Sequence, residues 1–166
     1  INSKISIHDF NEYHSHLSVK SICDLIKHKI SPNIAEEYDS RFKGIDIVKL
    51  SDNNIRNIDA IKFDKRFSGA AISNFIKNNI GSDMSNSYNE KFNSINIIRL
   101  VKANCSPKEA LKYKFDKNKD LVFFAQKGIS QFELDKYDKR FNIHELRLFA
   151  QKSIDSKTAN SFDKFF

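Results

Sequence analysis

A chain of 166 residues is long enough for one domain with a sizeable core, and 40% hydrophobic with 30% charged residues excludes a disordered chain. Four glycines and two prolines leave too little turn chemistry for a strand-rich fold, and no apolar run reaches the ~20 residues of a membrane-spanning helix. Two cysteines exclude a disulfide framework and are compatible with a reducing, cytoplasmic setting, while a net charge of +7 keeps acidic partners and nucleic acid in view.

From the N-terminus, Ile5, Ser6 and Phe10 match Ile30, Ser31 and Ala35 in kind and spacing. The chain is therefore expected to open inside a helical unit, as a fragment of a longer array. His8, His14 and His16 lie close together in this stretch. His14 and His16 do not share a helix face, and no thiol or carboxylate spacing completes a metal site, so exposed histidines are expected.

From Tyr13 an aromatic returns at Tyr38, Phe63, Tyr88, Tyr113, Tyr137 and Phe162, at intervals of 25, 25, 25, 25, 24 and 25 residues. Other columns keep this register. Ile22, Ile47, Ile72, Ile97, Leu121 and Leu146 are followed three residues later by Leu25, Leu50, Phe75, Leu100, Phe124 and Phe149. Ile30, Ile55, Ile80, Cys105, Ile129 and Ile154 close the first half of each unit. A small residue follows at Ala35, Ala60, Ser85, Ala110 and Ala159, replaced once by Leu134.

These spacings are helical and predict two helices of about ten residues per unit. The first starts after Ser18, Ser68, Asn93 or Asn142 and stops at Asn54, Asn79, Asn104 or Gly128, residues that tolerate the left-handed conformation ending a helix. The second starts at Ser31-Pro32, Ser106-Pro107, Ser130 or Asp155. Ser106 with Glu109, Ser130 with Glu133 and Asn142 with Glu145 have the spacing of a capping box.

A pentad joins one unit to the next: YDSRF at Tyr38, FDKRF at Phe63, YNEKF at Tyr88 and YDKRF at Tyr137. Its first aromatic is assigned to the second helix. Its last, Phe42, Phe67, Phe92 or Phe141, stands five residues before Ile47, Ile72, Ile97 or Leu146, the spacing of a hydrophobic staple. Arg41, Arg66, Lys91 and Arg140 share a column that stacking would turn into a basic ladder, a row of candidate phosphate contacts. Asp39, Asp64 and Asp138 are interleaved and would repel phosphate. They favour the alternative, in which each arginine bonds an aspartate or a helix end.

The unit at Tyr113 departs from this pattern. In KYKFDKNKD it loses one residue and the final Phe, and it gathers Lys112, Lys114, Lys117 and Lys119, a candidate partner site. The alternative is a solvated corner in which Phe115 replaces the missing aromatic. Next comes LVFFA, where Phe123 falls in a column that is polar elsewhere and is a candidate for gripping a partner or for packing between repeats. Cys23 and Cys105 have no base nearby in sequence. There is no glycine-rich phosphate loop, nucleophile elbow or paired-acid motif, so neither an enzyme nor a cofactor is expected.

Over all 166 residues the pattern resembles, in architecture, the α-solenoid class that includes HEAT, armadillo and tetratricopeptide arrays. The period is shorter than theirs, and their signature residues are absent. The resemblance implies an all-α fold, one right-handed solenoid domain of about six helical hairpins, and a binding scaffold for a protein partner, either monomeric or part of a larger chain. The alternatives are nucleic-acid binding through the basic residues and a structural spacer.

Overall fold

The computed structural model describes residues 10–13, 17–115 and 117–162, and the chain divides into two compact units, Ile1–Ser87 and Tyr88–Phe166. The fold is all-α, with no strand among the described residues. The first unit carries α1 (Val19–Lys27), α2 (Pro32–Glu36), α3 (Gly44–Ser51), α4 (Asn57–Ala60), α5 (Gly69–Lys77) and α6 (Ser82–Ser87). The second carries α7 (Ser94–Lys102), α8 (Pro107–Lys112), α9 (Asn118–Gln126), α10 (Gln131–Leu134), α11 (Ile143–Lys152) and α12 (Ser156–Asn160). His8, His14 and His16, and the expectations placed on them, lie outside the described residues.

Side-chain caps start most helices where the sequence put them. Ser18, Ser68, Asn93 and Asn142 accept backbone N–H bonds at the heads of α1, α5, α7 and α11. Ser31, Ser106, Ser130 and Asp155 do so at the shorter helices α2, α8, α10 and α12. The full capping box forms at Asn142, whose own N–H donates to Glu145 Oε2 at 2.7 Å. At Ser106 and Ser130 only half of it forms. Glu109 and Glu133 turn instead to Lys112 and Lys136, at 3.0 and 2.7 Å.

The odd-numbered helices end alike. Lys29, Asn54, Asn79, Asn104, Gly128 and Ser153 all have positive φ. The residue after each donates its N–H to the carbonyl five positions back: Ile55 to Leu50, Ile80 to Phe75, Cys105 to Leu100 and Ile129 to Phe124, at 2.9–3.0 Å. This Schellman geometry satisfies a carbonyl that the helix leaves orphaned, and it buries the following apolar residue over the last turn. The column of Ile30, Ile55, Ile80 and Cys105 is buried for that reason.

Even-numbered helices have four to six residues, shorter than expected. The pentad cuts them short. Asp39, Asp64, Asn89 and Asp138 each accept the backbone N–H two residues on, at 2.9–3.0 Å, and such an Asx turn competes with another helical turn. Tyr137 consequently lies beyond α10, which ends at Leu134, and not in the helix to which its spacing assigned it.

The odd helices make the core. Within the first unit α1 packs on α3 and α3 on α5; within the second α7 packs on α9 and, more sparsely, α9 on α11. Leu25, Leu50, Phe75, Leu100 and Phe124 are wholly buried, each contributing roughly 1.5–3 kcal/mol relative to exposure. Phe42, Phe67 and Phe92 are buried with Ile47, Ile72 and Ile97, as the staple spacing expects. Close approach in the first unit depends on two glycines. A Cβ on Gly44 would lie 2.4 Å from the Ser21 carbonyl oxygen, and one on Gly69 would lie 2.5 Å from that of Asp46.

Pentad tyrosines reach across 16 or 17 residues. Tyr38 donates its hydroxyl to the Ile55 carbonyl at 2.8 Å, Tyr88 to Cys105 at 2.5 Å, Tyr113 to Ile129 at 2.7 Å and Tyr137 to Ile154 at 2.6 Å. Tyr13 bonds Ile30 in the same way. Each hydroxyl thus ties the end of one short helix to the cap of the next long one. Burial pushes Tyr88 and Tyr113 up to about 12, with Cys105 adding to the effect in both cases.

Candidate functional site

The pentad cations are held inside the fold. Arg41 donates to the carbonyls of Ala60 (2.7 Å) and Phe63 (3.0 Å), Arg66 to that of Ser85 (3.5 Å), and Arg140 to those of Phe162 (2.6 Å) and Asn160 (3.3 Å). These acceptors are the open carbonyls at the C-terminal ends of the short helices, where positive charge is favourable. The guanidinium carbons of Arg41, Arg66 and Arg140 also lie 4.5, 4.6 and 4.8 Å from the ring centres of Phe42, Phe67 and Phe141, and Lys91 Nζ lies 5.1 Å from that of Phe92. Arginines at these positions therefore bond helix ends, as the alternative reading of the column has it.

The unit at Tyr113 is built differently. Lys114 stands where the other pentads have Asp or Asn, so no Asx turn forms there. Its backbone N–H is still held from the next short helix, by Gln131 Oε1 at 2.9 Å, and its ammonium reaches Asp135 at 2.9 Å. That hydrogen bond, aided by Gln131, holds the Asp135 carboxyl below its ordinary value. Phe115 stacks on Tyr113 at 6.1 Å and on Phe124 at 5.2 Å. It takes the missing phenylalanine's contact with the long helix, but face to face. Phe67 and Phe141 meet Phe75 and Phe149 edge-on, at 4.9 Å.

Two further departures belong to this place. The position of Arg41 and Arg66 falls here on Asp116, so no arginine is supplied to the end of α10. The small residue whose carbonyl such an arginine would bond is the one replaced, by Leu134, and that leucine is buried. The position of Gly44 and Gly69, held by Val19, Ser94 and Asn118 in other repeats, falls here on Ile143, the first residue of α11. A branched side chain cannot enter a space where even a Cβ would meet backbone at about 2.5 Å. α11 packs more sparsely on α9 than the other neighbouring long helices within each unit pack on one another, and a gap is left there.

A cleft of about 290 Å³ opens in the gap, lined by Lys114, Phe115, Lys117, Lys119, Asp120, Ile143, His144 and Arg147. Asp120 is buried and bonds Arg147 Nη1 at 3.0 Å. The Arg147 guanidinium also lies 4.6 Å from the centre of the Phe123 ring. Salt bridge and ring together fix its plane. Phe123, half-buried, stands edge-on to Phe124 at 5.2 Å and thus packs as well as supporting Arg147. Lys117 and Lys119 are exposed and have no carboxylate within ion-pair distance among the described residues.

Three of the four lysines singled out in the sequence therefore meet at one cleft. Lys112 does not: it is exposed and paired with Glu109 at 3.0 Å. Asp120, Ile143, His144 and Arg147 were not anticipated, and the column of Ile143 (Val19, Gly44, Gly69, Ser94 and Asn118 before it) is too mixed to single it out. Burial raises the Cys105 thiol, with Glu109 adding to the shift, which makes it a poor nucleophile. Among the described residues no three His, Cys, Asp or Glu side chains gather as metal ligands, and no helix is long and apolar enough to cross a membrane. No known protein family, curated protein or solved structure matches the chain.

Proposed function

We propose that this chain is a non-enzymatic binding scaffold of the α-solenoid type, and that a protein partner engages it at the cleft between α9 and α11. The solenoid reading, with its 25-residue period, is supported by the return of the same cap, hydroxyl tie and small-residue position in successive repeats; a right-handed course as one domain is what the resemblance to the α-solenoid class implies. The binding reading is carried by one observation. The repeat that abandons its pentad and its arginine tie is the one whose Lys114, Lys117 and Lys119 line an open cleft together with Arg147 of the following repeat. Folding alone does not require the exposed Lys117 and Lys119.

A duplex would need a row of available cations along its backbone, and the column that could supply it has its arginines bonded to carbonyls. A protein partner is favoured for that reason. Panning a displayed peptide library, in unmodified and in enzymatically phosphorylated form, against the chain, with K117E/K119E as counter-target, tests the reading. Enriched peptides are expected to bind the variant at least about tenfold more weakly. If no peptide is enriched while labelled oligonucleotides bind with steep salt dependence, nucleic acid replaces protein as the partner. If neither binds, the structural-spacer alternative stands.

A further inference from the structure

We propose that the α9–α11 cleft receives a phosphate group carried on a side chain of the partner protein. This deepens the binding role proposed above and rests on it. Among the described residues the lining holds four cationic side chains; Arg147 is paired with Asp120 and Lys114 with Asp135, and the two unmatched charges of Lys117 and Lys119 exceed what a single carboxylate ligand would neutralise. A phosphate monoester brings close to two negative charges and three acceptor oxygens.

The two kinds of cation present are complementary for that ligand. Arg147 is held in place by the Asp120 salt bridge and the Phe123 ring, so its planar fork is oriented before anything binds. Lys117 and Lys119 are exposed point charges on flexible stems that can close on an anion from the rim. Asp120 would repel phosphate if it were free. It is buried and its charge is met by Arg147 at 3.0 Å, which makes it a positioning residue for the guanidinium. Lys114 can reach the ligand by leaving Asp135, an exposed pair worth little to the fold.

Size and polarity limit what accompanies the phosphate. At about 290 Å³ the cleft is at the lower end of ligand pockets and has room for one side-chain head group. Phe115 and Ile143 give it apolar wall for the carbon stem that carries the phosphate.

The test is a ¹H–¹⁵N NMR titration of the whole chain with acetyl-Gly-phosphoserine-Gly-amide, its unphosphorylated form, inorganic phosphate and AMP. Saturable shifts confined to Lys114, Lys117, Lys119, His144 and Arg147 are expected with the phosphopeptide, competed by inorganic phosphate and absent with the serine peptide. K117E/K119E should weaken binding at least about tenfold. Both positions are exposed, and a carboxylate introduced at the second would sit favourably in the first turn of α9, so the variant should fold. Lys119→Gln is the milder second variant and should weaken binding severalfold. Equal binding of the serine peptide, unchanged affinity in both variants, or shifts scattered over the surface would overturn the proposal. Tighter binding of AMP than of phosphopeptide would overturn the assignment to a protein-borne phosphate. Failure here with enrichment from the unmodified library would remove the phosphate and leave the protein-binding role intact.

Discussion

Phe63 is the pentad aromatic without a hydroxyl among those that open a tie, and restoring one should stabilise the protein. Its ring stacks on Phe75 at 6.0 Å and 2°, as Tyr137 stacks on Phe149 at 5.9 Å and 7°. In the Tyr137 arrangement the hydroxyl reaches the Ile154 carbonyl at 2.6 Å. By register the new hydroxyl of Phe63→Tyr should reach the Ile80 carbonyl without displacing the ring. One such bond is worth roughly 0.5–1.5 kcal/mol net, which for a chain of this size raises the melting temperature by about 2–4 °C per kcal/mol. The reciprocal change, Tyr38→Phe, removes a 2.8 Å bond to Ile55 and should cost about the same. Urea denaturation followed by far-UV circular dichroism reads both, through the midpoint at constant m. If Phe63→Tyr is neutral or destabilising while Tyr38→Phe is destabilising, the positional equivalence behind the tie is wrong. If Tyr38→Phe has no effect, the tie itself carries no stability.

Three other outcomes follow from the same contacts. Gly69→Ala should destabilise by about 1–3 kcal/mol in the same urea assay, because the clash of its Cβ with Asp46 backbone outweighs the usual helix-propensity gain of alanine. Arg41→Met should cost about 1.5–3 kcal/mol by leaving the Ala60 and Phe63 carbonyls without their charged donor, whereas Lys119→Ala should stay within about 0.5 kcal/mol. Because the fold raises Tyr88 and Tyr113 to about 12, their contribution is complete below pH 10 and is lost as pH rises from about 10 to 12. A pH series of melting temperatures should show that decline, and it should be shallower in Tyr88→Phe.

Local features of the fold were legible because they depend on near neighbours. Ser68 caps a helix through a residue three positions on, and Asn79 ends one through its own φ, so spacing and residue type suffice. The long reaches were not. Tyr38 and Ile55 are 17 residues apart, and nothing in either side chain announces the bond. Arg41 was legible only as a choice between phosphate and helix end, and the Ala60 and Phe63 carbonyls decide for the helix end. The short helices were overestimated because the Tyr137 spacing fits a helix, while the Asx turn at Asp138 ends it. At the site, the lysines were visible as a departure from a column. Arg147 was not, since its role depends on Asp120, 27 residues earlier. Ile143 was not either, since its column, from Val19 and Gly44 to Asn118, is too mixed to single it out.

The central claim is that the departing repeat binds through its own cleft and not through the general basicity of the chain. The most direct measurement is the affinity of the acetylated phosphoserine tripeptide for two variants of equal charge change, K117E/K119E and K49E/K77E. Lys49 and Lys77 are exposed, belong to α3 and α5 and do not line the cleft. The account predicts at least about tenfold weaker binding for the cleft variant and a change within about twofold for the other. Equal weakening of both would contradict it.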